Sequence, residues 1–520
     1  MSLPTDLLCL LFSFNVEIPD AYRPYDMQPE IFQNQRPRKP HAPRKEHPLN
    51  ELRRYSQVCR QWRHLALDSP SLWAALIDIG YLEHGGKNNW RAEVLRRTKQ
   101  VPLSVFGQGH ARFFFFLMKK EWTRVRHVDV QLLGMSSHDH WDVFGTPAPA
   151  LRTLRLLGFA FAFPPITLTS QAPLLRVLSI PKYPHFDPRA MWVIQLRRLD
   201  LKNSTFALGE LLEVLPQMTQ LEHLYIDCTR QGTSTHLLEG EITPIALPCL
   251  STLVLFDDFL STFAVLARIL PNPSAIVRID IYSSPELLLP PADLHAESRI
   301  FALHLQNHML AGSSFTVKSC DGGVSITSVS PSTPSTPHFR FCLLCNNTEA
   351  EAATLLPLFL DLAFQTDLPG VREVELVCDQ HDGVRRRAVI DCDDALILNL
   401  LPRVTVLRLS TASLGLLHSH SPTALPMQGV QKLALRRSRA PNQARALAVV
   451  LQGLLRRKDA EPRFGSRKRM LGSDLRTIEF NDCHALRTDE GYAKLEDALG
   501  LAEAEGIEVV WKEDEGGFRL

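Results

Sequence analysis

Three residue pairs in the chain have spacings that suit metal or redox chemistry. Cys342 and Cys345, in "FRFCLLC", have the C-x-x-C spacing of half a zinc site or of a redox dithiol. Two-residue spacing, from which two imidazoles can chelate a cation, occurs at His138/His140 and His418/His420. No second C-x-x-C follows at a suitable distance, and the cysteine stretch fits a buried strand equally well. The histidine pairs lie in polar stretches typical of solvated loops, so we expect neither a metal nor another cofactor.

Motifs of the common enzyme classes are absent from the sequence. The chain contains no P-loop, no G-x-S-x-G elbow and no dinucleotide fingerprint. A hydrolase or metal enzyme in the irregular middle of the chain is an alternative, which metal analysis of the purified protein would test. Because no nucleophile and base converge in any recognisable pattern, the sequence predicts a protein that is not an enzyme.

Charge and composition indicate a folded protein without a strong overall field. Of the 520 residues, 45% are hydrophobic, and 57 basic residues against 56 acidic ones leave a net charge of +1. Nucleic acid is therefore not an expected partner, and the basic stretch at 456–470 has no aromatic stacking platform. Ten scattered cysteines suit a reducing compartment. No apolar run reaches the about 18 residues of a membrane span. These features predict a cytoplasmic and/or nuclear protein that does not bind membranes.

The elements that would position any site are repeated along the chain. The pattern L-x-x-L-x-L, with Val or Ile allowed, begins at positions 125, 151, 175, 196, 221, 250, 276, 371, 404, 430 and 475. The first seven units are 26, 24, 21, 25, 29 and 26 residues apart, with helical stretches such as "LGELLEVLPQM" between them. One such unit cannot cover its own apolar face, so neighbours must stack. The sequence predicts an α/β fold, a curved solenoid with a parallel sheet on its inner face.

The repeat pattern also predicts the domain boundaries. We expect a first array at 121–285, an irregular insertion at 286–368 and a second array at 369–520. The insertion contains "ITSVSPSTPSTP", in which Ser330, Thr333 and Thr336 each precede a proline. These side chains are either phosphorylation sites or part of an unmodified surface loop, which is the usual state of such composition.

Strand alternation predicts which residues face the inner side of the solenoid. Within each unit the second and third apolar residues point to the core, so the residues between and after them face the other way. This column comprises Thr153, Arg155, Leu157, Ser179, Asp200, Lys202, Tyr225, Asp227, Val254, Phe256, Asp280 and Tyr282. Aromatic residues flanked by carboxylates suit a peptide with apolar and basic side chains. The candidate target-binding residues are therefore Tyr225, Asp227, Phe256, Asp280 and Tyr282. Core packing of these rings, or cover by the insertion, is the alternative.

Two apolar segments near the N-terminus flank a stretch of different composition. "LPTDLLCLLFSF" predicts an amphipathic helix that begins at Pro4, with Asp6 in its first turn. A signal peptide is the alternative, although no basic residue precedes the apolar run. Residues 15–50 are rich in proline and basic residues, which predicts a flexible insertion, with a nuclear-import signal as an alternative. The spacing of apolar residues from Leu52 to Leu67 predicts a helix that stops at Ser69-Pro70.

Taken together, "LPTDLLCLLFSF" and "VCRQWRHLALDSPSLWAALI" resemble the F-box in the version common in mushroom-forming fungi. The resemblance covers some 45 residues within 1–80, followed by a connecting segment at 81–120. The region behind it resembles the irregular leucine-rich repeats that follow many F-boxes, with Asn203 where that family places a buried asparagine.

The resemblance implies a substrate-recognition subunit of an SCF-type cullin-RING ubiquitin ligase. Its F-box would bind a Skp-type adaptor, and its repeats would bind a target protein that the sequence does not identify. The alternative is a non-ligase leucine-rich-repeat scaffold with a degenerate F-box. The residues expected to bind the adaptor are Leu3, Pro4, Leu7, Leu8, Leu11, Phe12, Val58, Cys59, Trp62, Leu72 and Trp73. The alternative for Trp62 and Trp73 is that they close the helical core, and we expect each to have part of both roles.

Overall fold

Helices and mainly parallel strands alternate along the chain in a mixed α/β architecture. The structure is a computed structural model, and it describes residues 47–84, 88–133, 141–158, 168, 171–181, 190–202, 208–227, 244–270, 272, 274–283, 300, 303–304, 314–320, 323–329, 337–345, 373–378, 404–410, 430–436, 444, 447–448, 451, 475–481, 483 and 492–512. The chain divides into an N-terminal unit, residues 1–234 and 245–250, and a C-terminal unit, residues 235–244 and 251–520.

Three short helices open the described part of the N-terminal unit: α1 (Pro48–Val58), α2 (Arg60–Asp68) and α3 (Pro70–Ala74). Prolines at the first positions of α1 and α3 suit those positions because the missing N–H has no intrahelical acceptor there. The sequence predicts one helix from Leu52 to Leu67, but the structure has a break at Cys59, which is extended at φ −154° and ψ 171°. Its Sγ accepts a hydrogen bond from the Trp62 backbone N–H at 3.4 Å and so caps α2.

The N-terminal unit contains a parallel sheet whose strands β1 to β7 pair in chain order. The strands are β1 (Ile77–Asp78), β2 (Leu103–His110), β3 (Val125–Leu133), β4 (Thr153–Gly158), β5 (Val177–Pro181), β6 (Arg198–Lys202) and β7 (His223–Asp227). The helices between them are α4 (Ile79–His84), α5 (Asn88–Arg97), α6 (Ala111–Glu121) and α7 (Leu208–Val214), with 3-10 turns at Trp122–Arg124, Trp141–Gly145, Val193–Gln195 and Leu215–Gln217. A short strand, β8 (Ile245–Ala246), completes this unit.

Aromatic side chains form the core between α6 and the start of the sheet. Phe114, Phe115 and Phe144 are almost completely buried. Phe115 meets Trp141 edge to face, with 4.8 Å between ring centroids, and Phe144 meets Trp122 in the same way at 5.1 Å. Each ring buries a large area and edge-to-face contacts add to that burial, so this cluster fixes α6 on the sheet.

The first strand is held to the helices by a buried polar contact. His47 Nε2 lies 3.2 Å from Asp78 Oδ2, and the His47 ring stacks on Tyr81 at 3.8 Å between centroids. Helix α4 also approaches β2 closely, since a Cβ on Gly80 would lie 2.1 Å from the Gln108 carbonyl oxygen. Gly107 has φ +97°, a conformation that glycine adopts readily and other residues rarely do. These contacts attach α1 and α4 to strands β1 and β2.

The C-terminal unit contains the remaining strands. Its strands are β9 (Thr252–Asp258), β10 (Ile269–Leu270), β11 (Ile276–Ser283), β12 (Ser314–Cys320), β13 (Gly323–Val329), β14 (Pro337–Cys345), β15 (Glu373–Cys378), β16 (Val406–Ser410), β17 (Lys432–Arg436), β18 (Thr477–Asn481) and β19 (Glu508–Lys512), with helices α8 (Phe259–Arg268) and α9 (Tyr492–Ala504). β9, β11 and β14 pair in parallel, and so do β12 and β15 to β19. The antiparallel strand β13 joins β12 to β14.

Several strands lie where the repeat pattern marks none, and the predicted domain boundaries stay a prediction. β1 and β2 pair with each other and β2 pairs with β3, so residues within 81–120 contribute strand and helix to the N-terminal unit. Within 286–368, β12 to β14 pair with other strands of the C-terminal unit. The division between units falls near residue 250. None of β1, β2 and β12 to β14 contains the hexapeptide, so the repeat pattern could not mark them.

Candidate partner-binding surfaces

The second half of the F-box-like pattern is divided between core and surface. Leu72 is 7% exposed and Trp73 is 1% exposed. The Trp73 indole N–H donates to the Ala66 carbonyl at 2.7 Å, and its ring meets Trp90 edge to face at 6.1 Å. These two side chains are therefore core residues of this chain, and their contact with an adaptor stays a prediction. Their burial closes α3 against α2 and α5.

The surface residues of this segment lie around the break between α1 and α2. Val58 is 62% exposed and Cys59 is exposed. The Trp62 ring is half-buried and meets Tyr55 edge to face at 5.9 Å. An accessible valine and, four residues later, a partly accessible indole are apolar side chains of the kind that bind another protein. The other six predicted adaptor residues, Leu3, Pro4, Leu7, Leu8, Leu11 and Phe12, lie outside the described residues, as does the predicted insertion up to residue 46.

The sheet of the N-terminal unit has one buried face and one polar face. In β6 the side chains of Leu199 and Leu201 are fully buried, whereas Arg198 is half-buried on the opposite face. The strand register places the polar-face residues in rows across the sheet. We call these residues the polar strand face; they are His127, Thr153, Val177, Arg198 and His223 in one row and Asp129, Arg155, Ser179, Asp200 and Tyr225 in the next.

Charges on the polar strand face are paired within the chain. Arg198 Nε donates to both carboxylate oxygens of Asp200 at 3.1 Å, and Arg155 lies 3.6 Å from Asp129. Side chains two residues apart in a strand lie on the same face of the sheet. An Arg-x-Asp sequence in a strand therefore places the guanidinium group beside the carboxylate. The sequence reasoning missed this pairing, although the Arg-x-Asp spacing at Arg198 and Asp200 was a signal for it.

The histidines of the polar strand face are neutral at pH 7. Burial, together with the positive charges of Arg126 and Arg152, lowers the pKa of His127 to about 4. Burial, with Arg198 as the next cause, also lowers the pKa of His223. His127 Nδ1 lies 3.1 Å from the Thr153 hydroxyl. The face therefore offers hydrogen-bonding groups and a half-buried Tyr225 ring, while its net charge is small.

The five predicted target-binding residues fall into both units. Tyr225, half-buried, and Asp227, 9% exposed, lie on β7 of the N-terminal unit. In the C-terminal unit, the half-buried Phe256 is the cross-strand neighbour of Asp280, and Tyr282 is that of Asp258. The side chain of Tyr282 lies outside the described residues.

Asp280 departs from the prediction of an exposed carboxylate. It is 3% exposed and its Oδ2 lies 2.6 Å from Arg278 Nη2. This Arg278-x-Asp280 pair repeats the arrangement of Arg198 and Asp200. The carboxylate is bound by an arginine of its own strand, which explains its burial.

The predicted metal and modification sites are largely outside the described residues. Cys342 is buried in β14, and among the residues that the structure describes no group of three or more potential ligands could hold a metal ion. Both histidine pairs, the basic stretch 456–470, Asn203 and the proline-flanked Ser330, Thr333 and Thr336 lie outside those residues. Within the described helices, none is long and apolar enough to cross a membrane.

No family model matches the chain, and no curated protein matches its sequence. The fold and surfaces define the class only as a mixed α/β protein with a large parallel sheet.

Proposed function

We propose that the chain is a substrate receptor of an SCF-type cullin-RING ubiquitin ligase. Its F-box-like segment binds a Skp-type adaptor, and a target protein binds the polar strand face. The observation that carries the proposal is the exposure of Val58, which is 62% exposed beside the helix break at Cys59. Trp73 meanwhile fixes the same segment in the core. The protein acts by positioning its target for ubiquitin transfer by other subunits.

Replacing Val58 with aspartate is expected to weaken adaptor binding. If Val58 belongs to the interface core, a buried charge there costs about 2 kcal/mol, or roughly thirtyfold in affinity. The full chain, co-expressed with a Skp-type adaptor, is purified through a tag on the adaptor, and the amount of retained chain is measured. Met191→Asp is the matched control, since Met191 is 60% exposed in the same unit but distant in sequence from the F-box-like segment.

Two results of this experiment contradict the proposal. If the unmodified chain does not co-purify with the adaptor, the non-ligase scaffold is the better assignment. If Val58→Asp and Met191→Asp reduce retention equally, the apolar surface at the helix break is not the adaptor site. Circular dichroism of each variant verifies that the fold is intact.

Target binding is assigned to the polar strand face because it presents an aromatic ring among paired charges. Tyr225 is half-buried, and its cross-strand neighbour Asp200 is already bound by Arg198. An aromatic ring beside a carboxylate that an arginine already binds is a favourable hot spot, because a partner that covers the ring leaves no unpaired carboxylate at that position.

Tyr225→Ala is therefore expected to remove target proteins from affinity purifications while adaptor retention stays unchanged. Loss of a hot-spot aromatic lowers affinity by about 2 kcal/mol, or roughly thirtyfold. Quantitative mass spectrometry compares proteins retained by the full chain, by Tyr225→Ala and by Tyr492→Ala. Tyr492, half-buried on α9, controls for loss of a tyrosine elsewhere. An unchanged set of retained proteins with Tyr225→Ala would reject the polar strand face as the target site.

A further inference from the structure

A groove in the N-terminal unit separates α5 from α6. Its volume is about 730 Å3, and residues from both helices and from the turns that follow them line it. We call it the α5–α6 groove; its main lining residues are Arg91, Leu95, Lys99, Phe116, Lys120 and Arg124. Neither the F-box-like segment nor the polar strand face includes any of these residues.

The exposed face of α6 gives the groove an unusual apolar side. Phe113, Phe114 and Phe115 are buried in the core, yet Phe116 is 58% exposed. Phe116 lines the groove together with the half-buried Leu95 of α5. An exposed phenylalanine facing a concave surface offers a large contact area for an apolar side chain of a ligand.

The charges around the groove are mostly positive. Its lining contains five basic side chains and one carboxylate, Glu121. Lys99 and Lys120 are both exposed at this surface, and the Lys120 ammonium lies 4.0 Å from the Glu121 carboxylate. With a net charge of +1 over the whole chain, this local excess is a feature of the groove and not of the molecule.

The arginines of the groove are already engaged by the protein. Arg124 donates to the Val101 carbonyl at 2.8 Å and to the Thr98 hydroxyl at 2.9 Å, and it lies 2.7 Å from Glu121. Arg91 donates to the Leu82 carbonyl at 3.2 Å and stacks over Phe113.

Arg96 is engaged in the same way, because its guanidinium binds Glu93 through two hydrogen bonds of 2.7 and 2.8 Å. The guanidinium groups of these three arginines are thus already engaged by the chain, although the Arg96 side chain is 71% exposed. Lys99 and Lys120 add two exposed ammonium groups to the same surface.

We propose that the α5–α6 groove binds an acidic peptide segment of a partner protein. An apolar side chain of the peptide packs on Phe116 and Leu95, and flanking carboxylates lie near Lys99 and Lys120. Lysine attracts carboxylates as a flexible point charge, so the site selects for an apolar residue among acidic ones rather than for one fixed sequence. This assignment is independent of the proposed ligase function and would hold if the adaptor did not bind.

The test uses the full chain and a fluorescein-labelled synthetic peptide that contains one phenylalanine flanked by aspartate and glutamate. Fluorescence anisotropy at low ionic strength measures its affinity. A peptide with the phenylalanine replaced by serine, and another with the acids replaced by their amides, should each bind at least about tenfold more weakly. Added salt should weaken binding, because exposed charges are screened.

Variants of the chain locate the site on the groove. Lys120→Glu and Phe116→Ser should each reduce affinity by about tenfold or more, since they reverse a charge and remove the apolar contact. Lys119→Glu is the matched control, because Lys119 is exposed on the same helix but does not line the groove. It should change the affinity by less than about twofold. Lys99→Gly provides a further variant, since Lys99 has φ +46° and glycine suits that conformation.

Three outcomes would overturn the proposal. The first is absence of peptide binding at concentrations up to about 1 mM, the weak limit for a specific complex. The second is equal weakening by Lys119→Glu and Lys120→Glu, which would indicate attraction without a site. The third is tighter binding of a single-stranded oligonucleotide or of inorganic phosphate than of the peptide, which would assign the groove to phosphate chemistry.

Discussion

Replacing Trp73 with alanine is expected to lower the free energy of unfolding by about 3 to 5 kcal/mol, the usual cost of removing a buried large aromatic side chain. Trp73 is 1% exposed, its indole N–H donates to the Ala66 carbonyl, and Arg97 stacks over its ring at 4.9 Å. Alanine would leave a cavity among α2, α3 and α5 and an unpaired carbonyl at Ala66.

Urea unfolding followed by circular dichroism measures this change, and hydrogen exchange assigns it to the helices of the N-terminal unit. Trp73→Phe should retain part of the stability, because it keeps most of the apolar area and loses the hydrogen bond. Trp62→Ala is the matched control, since the Trp62 ring is half-buried and its loss should cost less. A Trp73→Ala transition that coincides with the unmodified one would show that the indole is not part of the core.

The regular part of the fold could be predicted from short apolar patterns. Each of the eleven L-x-x-L-x-L units lies on a strand, and most of these strands begin two residues into the unit, as β4 does at Thr153 and β16 at Val406. Alternation of apolar residues is a local signal, and it can be recognised without knowing which strands pair with each other. Strands β1 and β2 lack that hexapeptide. After β1, helix α4 approaches β2 closely at Gly80 and Gln108, a contact that only the three-dimensional structure reveals.

The candidate sites were less predictable than the fold because the burial of a side chain depends on the residues that it contacts in three dimensions. The apolar spacing continues through the break at Cys59, with Leu52 buried in α1 and Ala66 buried in α2. Sequence spacing cannot show that the Cys59 backbone is extended. Likewise, Asp280 has the position of an exposed strand residue, and only its contact with Arg278 explains why it is buried. The α5–α6 groove has no sequence motif. Phe116 is the exposed member of a run of four phenylalanines whose other three are core residues, and the sequence does not distinguish them.

A second large effect is expected at Glu479, which lies on β18 between β17 and β19. Its carboxylate is 5% exposed and lies 2.6 Å from the Lys432 ammonium and 3.0 Å from that of Lys512. Burial alone would raise the pKa of Glu479, but the hydrogen bonds from the two lysines outweigh it and lower the pKa to about 2. The three side chains thus tie three neighbouring strands together on one face of the sheet that they form.

A carboxyl group whose pKa is lower in the folded state than in the unfolded chain stabilises the folded state at every pH at which the unfolded chain has that group ionised. The contribution is complete above the ordinary pKa of 4.5 and is lost as the pH falls toward about 2. The shift corresponds to about 3 kcal/mol, since each pKa unit is worth about 1.4 kcal/mol. Glu479→Gln should therefore be less stable than the unmodified chain near pH 7 by up to that amount, and the difference should shrink steadily between about pH 5 and pH 2.

Urea unfolding at several pH values tests this linkage. The difference in the free energy of unfolding between Glu479→Gln and the unmodified chain cancels the effect of all other carboxyl groups, which titrate in both proteins. Glu508→Gln is the control, because Glu508 is exposed on the neighbouring strand β19 and its replacement should change the stability near pH 7 very little. If the stability difference for Glu479→Gln stayed constant from pH 7 to pH 2, the carboxylate would not be the charged partner of Lys432 and Lys512. A difference that closes as the acid range is entered would instead show that the ion pairs, and not the shape of the side chain, hold β17, β18 and β19 together at this point.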